Sequence, residues 1–333
     1  MNHNQRGESD LLTTPLQQYI HISKYARFLD KEKRRETWSE TVERYVSFWE
    51  EKYPGIIDDT VFKELFNSIF SLSVMPSMRA LMTAGKALDR DNTAGFNCSA
   101  AAIDHPRIFD EGFYLLMCGS GFGFSVERQF TNQLPDVAEE FYDSETVITV
   151  SDSKIGWASA LRELISLLYA GKVPKFNYSL IRPAGARLKV FGGRASGSGA
   201  LSLLFQQTIR IFKNAAGRKL NSLECHDLMC HIANAVIVGS VRRAACISFS
   251  NLTDDRMRRA KMGEFANTDS QRYLANNSVM YTEKPDMDAF IKEFSSLYRS
   301  KSGERGLVNQ KALHNKAVKQ CGRNPDEYYL LNP

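Results

Sequence analysis

From residue 96 onward, short apolar runs alternate with longer segments of helical periodicity, and this alternation restricts the possible folds more than any other feature. The runs at residues 96–103 and 241–249 have the length of buried strands, whereas residues 155–169 and 222–237 place apolar side chains at helical spacing. Parallel strands need a long crossover connection, which is usually a helix. The sequence therefore predicts an α/β architecture with parallel strands.

The first 90 residues have a different pattern. Apolar side chains recur at helical spacing between charged residues across positions 38–49, and a second helix is predicted over residues 58–72, before Pro76. We therefore expect an N-terminal helical domain over residues 1–90 and an α/β domain over residues 91–333.

Composition and charge exclude several classes of protein. The chain has 333 residues, 43% of them hydrophobic, which is enough for a sizeable core. It contains no apolar run long enough to cross a membrane, and its start is too polar for a secretory signal. The net charge of +5 is weak support for nucleic-acid binding. We expect a cytoplasmic protein that binds neither membrane nor nucleic acid.

The cysteines show no CxxC spacing, so they are expected to be thiols in a reducing compartment. They are Cys98, Cys118, Cys225, Cys230, Cys246 and Cys321. Cys98, on a predicted strand beside Asn97, is either a small buried hydrophobic residue or a catalytic thiol. Cys225, His226, Cys230 and His231 suggest zinc, but only His226 and Cys230 share a helix face. We favour helix packing there and predict no metal site.

Two glycine-containing segments could bind a ligand. Residues 119–123 follow a helix predicted over residues 109–118 and precede a strand predicted over 124–128, so they form either a ligand loop or a tight turn. Residues 182–199 contain five glycines, three arginines and Lys189, a composition suited to closing on phosphates. This longer loop is predicted to follow a strand at residues 176–181. The acidic residues 131–153 are predicted to form a surface excursion.

Taken in order, the sequence segments resemble the large catalytic chain of ribonucleotide reductases. The closest resemblance is to adenosylcobalamin-dependent (class II) ribonucleoside-triphosphate reductases. Matching segments lie at residues 25–29, 36–42, 75–79, 97–98, 119–128, 182–199, 216–218, 241–243, 275–279 and 306–309. The resemblance implies that the domain after residue 90 is the first part of a ten-stranded α/β barrel.

The resemblance also implies roles for individual residues. Cys98 would be one thiol of the redox-active pair, and Asn332 would be a hydrogen-bond partner of the substrate ribose. Ser77 and Asn97 would lie near the substrate. The effector site and specificity loop would include Asp104, Arg128, Arg182, Gly185, Arg187, Gly192, Gly193, Arg194 and Ser196.

The implied cofactor is adenosylcobalamin, with most contacts outside this chain. The implied partners are a ribonucleoside triphosphate, a deoxynucleotide effector, a thioredoxin-like dithiol reductant and the C-terminal remainder of the reductase. In the family, Asn-Pro is followed at once by Cys-Gly-Glu, which carries the radical cysteine and the base. Because Asn332-Pro333 would stand directly before that cysteine, we hypothesise that the chain is an N-extein, incomplete without its remainder.

Several alternatives stay open from the sequence. The chain could be a di-iron (class I) large chain or a non-catalytic nucleotide-binding remnant. The C-terminus could also reflect a cropped or damaged gene. Monomeric relatives carry a long insertion near residues 131–153 that completes the effector site, and this chain is shorter there. Either effector control differs, or a dimer interface completes the site.

Overall fold

The computed structural model describes residues 12–186, 195–237 and 245–331. Four predicted loop residues, Arg187, Gly192, Gly193 and Arg194, lie outside these ranges, as do Asn332 and the start of the strand predicted over 241–249. Two compact units divide the chain, at Met1–Asn97 and Cys98–Pro333. None of the helices in the described ranges has the length and apolar character needed to cross a bilayer.

The first unit is mainly helical. Its α-helices are α1 (Pro15–Ile20), α2 (Trp38–Lys52), α3 (Asp59–Phe70), α4 (Met78–Thr83) and α5 (Lys86–Arg90), and a small antiparallel hairpin pairs β1 (Phe28–Leu29) with β2 (Arg34–Arg35). Helix α2 begins with a capping box, in which the Thr37 and Glu40 side chains each accept a hydrogen bond from the other's backbone amide. The core of this unit comprises Leu12, Trp38, Val42, Val46, Phe62, Ile69 and Leu81.

Strands and helices alternate through the second unit. Its strands are β3 (Cys98–Ala102), β4 (Gly121–Ser125), β5 (Tyr142–Thr149), β6 (Lys172–Asn177), β7 (Cys246–Asn251), β8 (Ala275–Tyr281) and β9 (Gly306–Asn309). Its α-helices are α6 (Arg107–Met117), α7 (Arg128–Thr131), α8 (Lys154–Tyr169), α9 (Gly199–Asn214), α10 (Ser222–Ile237), α11 (Asp255–Arg259), α12 (Phe265–Thr268), α13 (Met287–Ser300) and α14 (Gln310–Cys321).

Five strands form one parallel sheet in the order β3-β4-β7-β8-β9. Each strand therefore pairs with the next strand of this sheet along the chain, without the reversal of order found in doubly wound sheets. The predicted α/β architecture with parallel strands is confirmed. A separate two-stranded sheet pairs β5 with β6, also in parallel.

The two faces of the five-stranded sheet differ in burial. One face carries Phe122, Phe124, Cys246 and Ala275, which are buried in the main hydrophobic core. That core also takes in α6, α8, α9 and α10, through residues such as Phe113, Leu164, Phe205 and Met229. On the other face Ala100 and Asn276 are exposed and Ile247 is half-buried, whereas Phe249 and Met280, nearer the carboxyl ends of their strands, are buried. We call this second face the open face.

Several predicted boundaries were wrong. Strand β4 begins at Gly121 rather than at residue 124, because pairing with β3 and β7 on both sides outweighs the low strand propensity of glycine. Strand β6 likewise lies earlier than the prediction over 176–181. The predicted surface excursion contains β5, most of whose residues are exposed. Residues 328–331, which resemble a strand in sequence, lie outside any strand.

A buried ion cluster ties α13 to the end of β7. The Glu293 carboxylate accepts hydrogen bonds from Arg305 at 2.7 and 2.8 Å and from Arg258 at 2.8 Å. Arg305 also donates to the Ser250 hydroxyl at 3.0 Å and to the Asn251 carbonyl at 3.1 Å. Buried charges are tolerated when they are paired and hydrogen-bonded in this way.

Candidate active site

Cys98 opens strand β3 and is half-buried. Its register partner on the next strand is Gly121, and side chains alternate between faces along a strand, so Cys98 shares the open face with Ala100. Two residues further along, Ala100, Gly123, Ile247 and Asn276 lie in register across four strands. The thiol therefore lies on the same face as the exposed Ala100 and beside the glycines of β4.

The cysteines within the main core have a different environment. Cys225 and Cys230 on α10 and Cys246 on β7 are buried against the helices. Burial raises the pKa of all three thiols, that of Cys246 to about 12. Because the thiolate is the reactive form, these groups are poorly suited to redox exchange at neutral pH.

The glycine segment at residues 119–123 divides into a helix end and a strand. Gly119 has a φ of +81° and closes α6, because its amide bonds the Leu116 carbonyl while the Ser120 amide bonds the Leu115 carbonyl. Gly121 and Gly123 are instead residues of β4. Glycine within a strand often marks a place where a ligand or another backbone approaches closely. The tight-turn interpretation thus describes Gly119, while a ligand role for Gly121 and Gly123 stays a prediction.

A polar cluster lies at the carboxyl end of β4. Glu127 is 1% exposed and accepts hydrogen bonds from the Ser125 hydroxyl at 2.9 Å and from the side-chain amide of Gln129 at 3.0 Å. The Tyr328 hydroxyl donates to the same carboxylate at 2.7 Å. Burial, followed by this bond to Glu127, raises the pKa of Tyr328 well above its ordinary value. This contact holds the segment that precedes Asn332 against the carboxyl end of β4.

Two residues predicted to belong to the effector site also lie at carboxyl ends of strands in this sheet. Asp104 follows the end of β3, and Arg128 follows the end of β4. The Arg128 amide donates to the Asn251 side chain at 2.7 Å, and its guanidinium donates to the Thr253 carbonyl at 3.1 Å. Carboxyl ends of parallel strands are the usual place for ligand sites in α/β sheets. The structure thus brings these two residues to adjacent strand ends.

Three predicted loop residues form a second group beyond β6. Arg182 forms a salt bridge with Asp152 at 2.6 Å, which joins the loop to the start of α8. Gly185 has a φ of +86°, and its amide bonds the Ala195 carbonyl at 2.9 Å. The half-buried Ser196 follows directly. Backbone pairing thus closes the base of the predicted specificity loop.

Ser77 and Asn97 belong to the first unit and are both exposed. Ser77 caps α4 by accepting a hydrogen bond from the Ala80 amide at 3.0 Å. The buried Arg79 of this helix donates to the Asn97 side chain at 3.4 Å. One helix end therefore links the two residues predicted to lie near the substrate.

His226 and Cys230, considered above as metal ligands, are buried on α10. His226 Nε2 lies 2.9 Å from Asn277 Oδ1, and its other ring nitrogen lies 3.3 Å from Asp227. Burial alone would raise the pKa of Asp227, but hydrogen bonds from Arg272 and His226 outweigh it and hold the pKa at about 2. Across the described ranges, no three His, Cys, Asp or Glu side chains cluster as potential metal ligands. The contact with Asn277 joins His226 of α10 to strand β8.

Sequence reasoning missed Glu127 and Tyr328, which lie 201 positions apart. No local pattern predicts that pair, although Glu127 lies two residues after the end of β4. Phe130 reinforces the contact, with its ring centroid 5.1 Å from that of Tyr328 in an edge-on arrangement.

Replacing Tyr328 with phenylalanine should loosen the segment before Asn332. The change removes one donor to a buried carboxylate, and a hydrogen bond to a charged group contributes about 1.5–3 kcal/mol. Amide hydrogen exchange of residues 324–331 should accelerate by at least about tenfold, measured by mass spectrometry. Tyr329→Phe is the matched control, because the Tyr329 hydroxyl bonds Asn324 within the same segment. Equal acceleration in both variants would contradict a specific tie to Glu127.

Comparison with known proteins gives no matching family model. In sequence, the chain is 26% identical to the adenosylcobalamin-dependent ribonucleoside-triphosphate reductase of Levilactobacillus brevis, over 86% of this chain and 47% of the relative. It is 28% identical to a putative protein of the same description from Mycobacterium phage D29, over 74% of this chain and 41% of the relative. The chain therefore spans about half the length of the curated relatives it matches.

A solved structure described as a B12-dependent (class II) ribonucleotide reductase has a similar fold. The TM-score is 0.74 at 23% identity, covering 88% of this chain and 49% of that chain. The sequence matches confirm the resemblance predicted from the ordered motifs, and the structural match shows that the chain has the fold of the corresponding part of that protein.

Proposed function

We propose that this chain is the N-terminal part of a ribonucleotide reductase that converts ribonucleoside triphosphates to deoxyribonucleotides with adenosylcobalamin as cofactor. The similarity to proteins described as adenosylcobalamin-dependent ribonucleoside-triphosphate reductases supports this assignment. The observation that carries it is the position of Cys98, a half-buried thiol on the open face of the parallel sheet.

Cys98 would act as one thiol of a redox pair. In the proposed reaction the ribose loses its 2′-hydroxyl as water while two thiols are oxidised to a disulfide, which supplies two electrons and two protons. The second thiol, the radical cysteine and the carboxylate base belong to the remainder of the reductase. A thioredoxin-like dithiol would then reduce the disulfide by thiol exchange.

The five-stranded sheet would be half of a ten-stranded barrel. Its strands are parallel and follow one another in chain order, and the two end strands, β3 and β9, have one neighbour each within this sheet, so further strands could continue it there. The open face would become the barrel interior, where Gly121 and Gly123 leave room for another backbone or a ligand.

Adenosylcobalamin, when bound, supplies the organic radical from which the protein thiyl radical is made. Within the described ranges no three His, Cys, Asp or Glu side chains cluster as potential metal ligands. We assign none of this chain's residues to the cofactor and propose that most of its contacts lie in the remainder.

Nucleotide binding would use both groups of loop residues. Asp104 and Arg128 at the strand ends, together with Arg182, Gly185 and Ser196 at the loop base, would contact a deoxynucleotide effector. The loop residues Arg187, Gly192, Gly193 and Arg194 would link effector and substrate. Ser77, Asn97 and Asn332 would contact the substrate.

A reductase assay tests the proposal. With adenosylcobalamin, a dithiol and a ribonucleoside triphosphate, deoxyribonucleotide should form only when the polypeptide beginning Cys-Gly-Glu is added. The control omits the cofactor and should give no product. Turnover by this chain alone, or turnover that does not need cobalamin, would overturn the assignment. The second result would also revive the di-iron alternative, which the cobalamin-dependent descriptions of the relatives do not favour.

A further inference from the structure

Helix α13 has its apolar side turned outward. Its one fully buried residue is Glu293, which reaches inward to Arg305 and Arg258. Five of its large apolar residues are exposed, at fractions from 38% to 79%, and Leu297 is half-buried; the exposed five are Met287, Phe290, Ile291, Phe294 and Tyr298. These five recur at helical spacing and form one stripe, along which the Phe290 and Phe294 rings stack with centroids 6.3 Å apart.

Such a stripe is unusual on an isolated protein surface. An amphipathic helix ordinarily buries its apolar side, and a contiguous exposed patch usually marks an interaction site. Here the inward side is occupied by the Glu293 ion cluster, so rotation of the helix to bury the stripe would break a buried charge network. The exposed stripe is therefore fixed by the fold.

The loop that follows α13 leads into strand β9. Arg305, whose guanidinium bonds Glu293 in the middle of α13, directly precedes the first residue of β9. Within the described sheet β9 has β8 as its hydrogen-bonded neighbour and forms the edge, and its Leu307 side chain is 46% exposed. An uncovered edge strand presents backbone groups ready to pair with another strand.

We propose that the stripe of α13, on the helix that leads into the β9 edge where the proposed barrel would continue, is a surface on which the remainder of the reductase docks. An edge strand and the apolar helix that leads into it suit a partner that adds both a strand and a packing helix. The relatives are about twice as long as this chain, since it spans 47% of the first of them and 49% of the matched structure. This inference rests on the proposed function, which supplies the partner.

The test uses this chain and the polypeptide beginning Cys-Gly-Glu. A one-to-one complex should form, measured by calorimetry and light scattering, and amide exchange should slow at residues 287–298 and 306–309. Ile291→Asp and Phe294→Asp should each weaken binding by at least roughly tenfold, because a charge would be buried in the interface. The matched control is Val61→Asp on α3, since Val61 and Ile291 are 50% and 53% exposed; it should bind like wild type.

Each other outcome has a defined meaning. Failure to form a complex, or equal binding by wild type and both α13 variants, overturns the docking surface. Protection of residues 287–298 that appears when this chain alone is concentrated would assign the stripe to a second copy and also overturn it. A complex that forms as expected but reduces no nucleotide would leave the docking surface standing and refute the reductase assignment.

Discussion

Substituting Cys98 with serine should reduce multiple-turnover reduction by roughly three orders of magnitude or more, because the variant lacks one of the two thiols that supply electrons. The assay contains the remainder of the reductase, adenosylcobalamin and a dithiol. Nucleotide binding, measured by calorimetry, should stay near the wild-type value, since a hydroxyl replaces a thiol of similar size. The loss should therefore appear in kcat rather than in KM.

Cys246→Ala is the matched control for this experiment. Cys246 lies two strands away in the same sheet, but it is buried on the helix face rather than on the open face. Its substitution should lower stability modestly and leave kcat close to wild type. If Cys98→Ser turns over as fast as this control, Cys98 is not a redox thiol.

Removing the Glu293 carboxylate should produce the largest loss of stability. Glu293→Gln leaves the buried Arg305 guanidinium without its carboxylate partner and leaves Arg258 with Asp255 alone, and breaking a buried ion pair typically costs about 3–5 kcal/mol. Urea unfolding followed by circular dichroism at neutral pH measures the change in the free energy of unfolding. Glu293→Asp keeps the charge with a shorter reach, so it should fall between Glu293→Gln and wild type.

The control for charge removal is Glu145→Gln. Glu145 pairs with Lys175 at 2.8 Å, but the two side chains are 94% and 58% exposed, and exposed ion pairs contribute little. Its free energy of unfolding should match wild type within error. A loss in Glu293→Gln no larger than in this control would contradict a stabilising ion cluster.

The Glu293 contribution should also depend on pH. Burial alone would raise the pKa of Glu293, but hydrogen bonds from Arg305 and then Arg258 outweigh it and hold the pKa below its ordinary value of 4.5. A group with a lowered pKa in the folded state stabilises the fold fully above its unfolded pKa. The stability difference between wild type and Glu293→Gln should therefore be constant near neutral pH and shrink as the pH falls below that value.

The sequence alone determined the fold class, because helical periodicity and short apolar runs are local properties that tertiary packing preserved. The helix predicted over residues 222–237 has those bounds in α10, where the Asn221 side chain accepts hydrogen bonds from the Leu223 and Glu224 amides. The ordered motifs also determined the resemblance to class II reductases. Roles for Cys98 and the loop residues remain predictions from that resemblance.

Tertiary structure decided what depends on contacts between distant residues. Pairing on both sides made Gly121–Ser125 a strand, against the propensity of its two glycines. The register between the strands, together with the face that the helices cover, determined that Cys98 lies on the open face while Cys246 faces the helices. The Glu127–Tyr328 contact and the outward orientation of the α13 stripe have no local signal, because each depends on side-chain contacts with other segments of the chain.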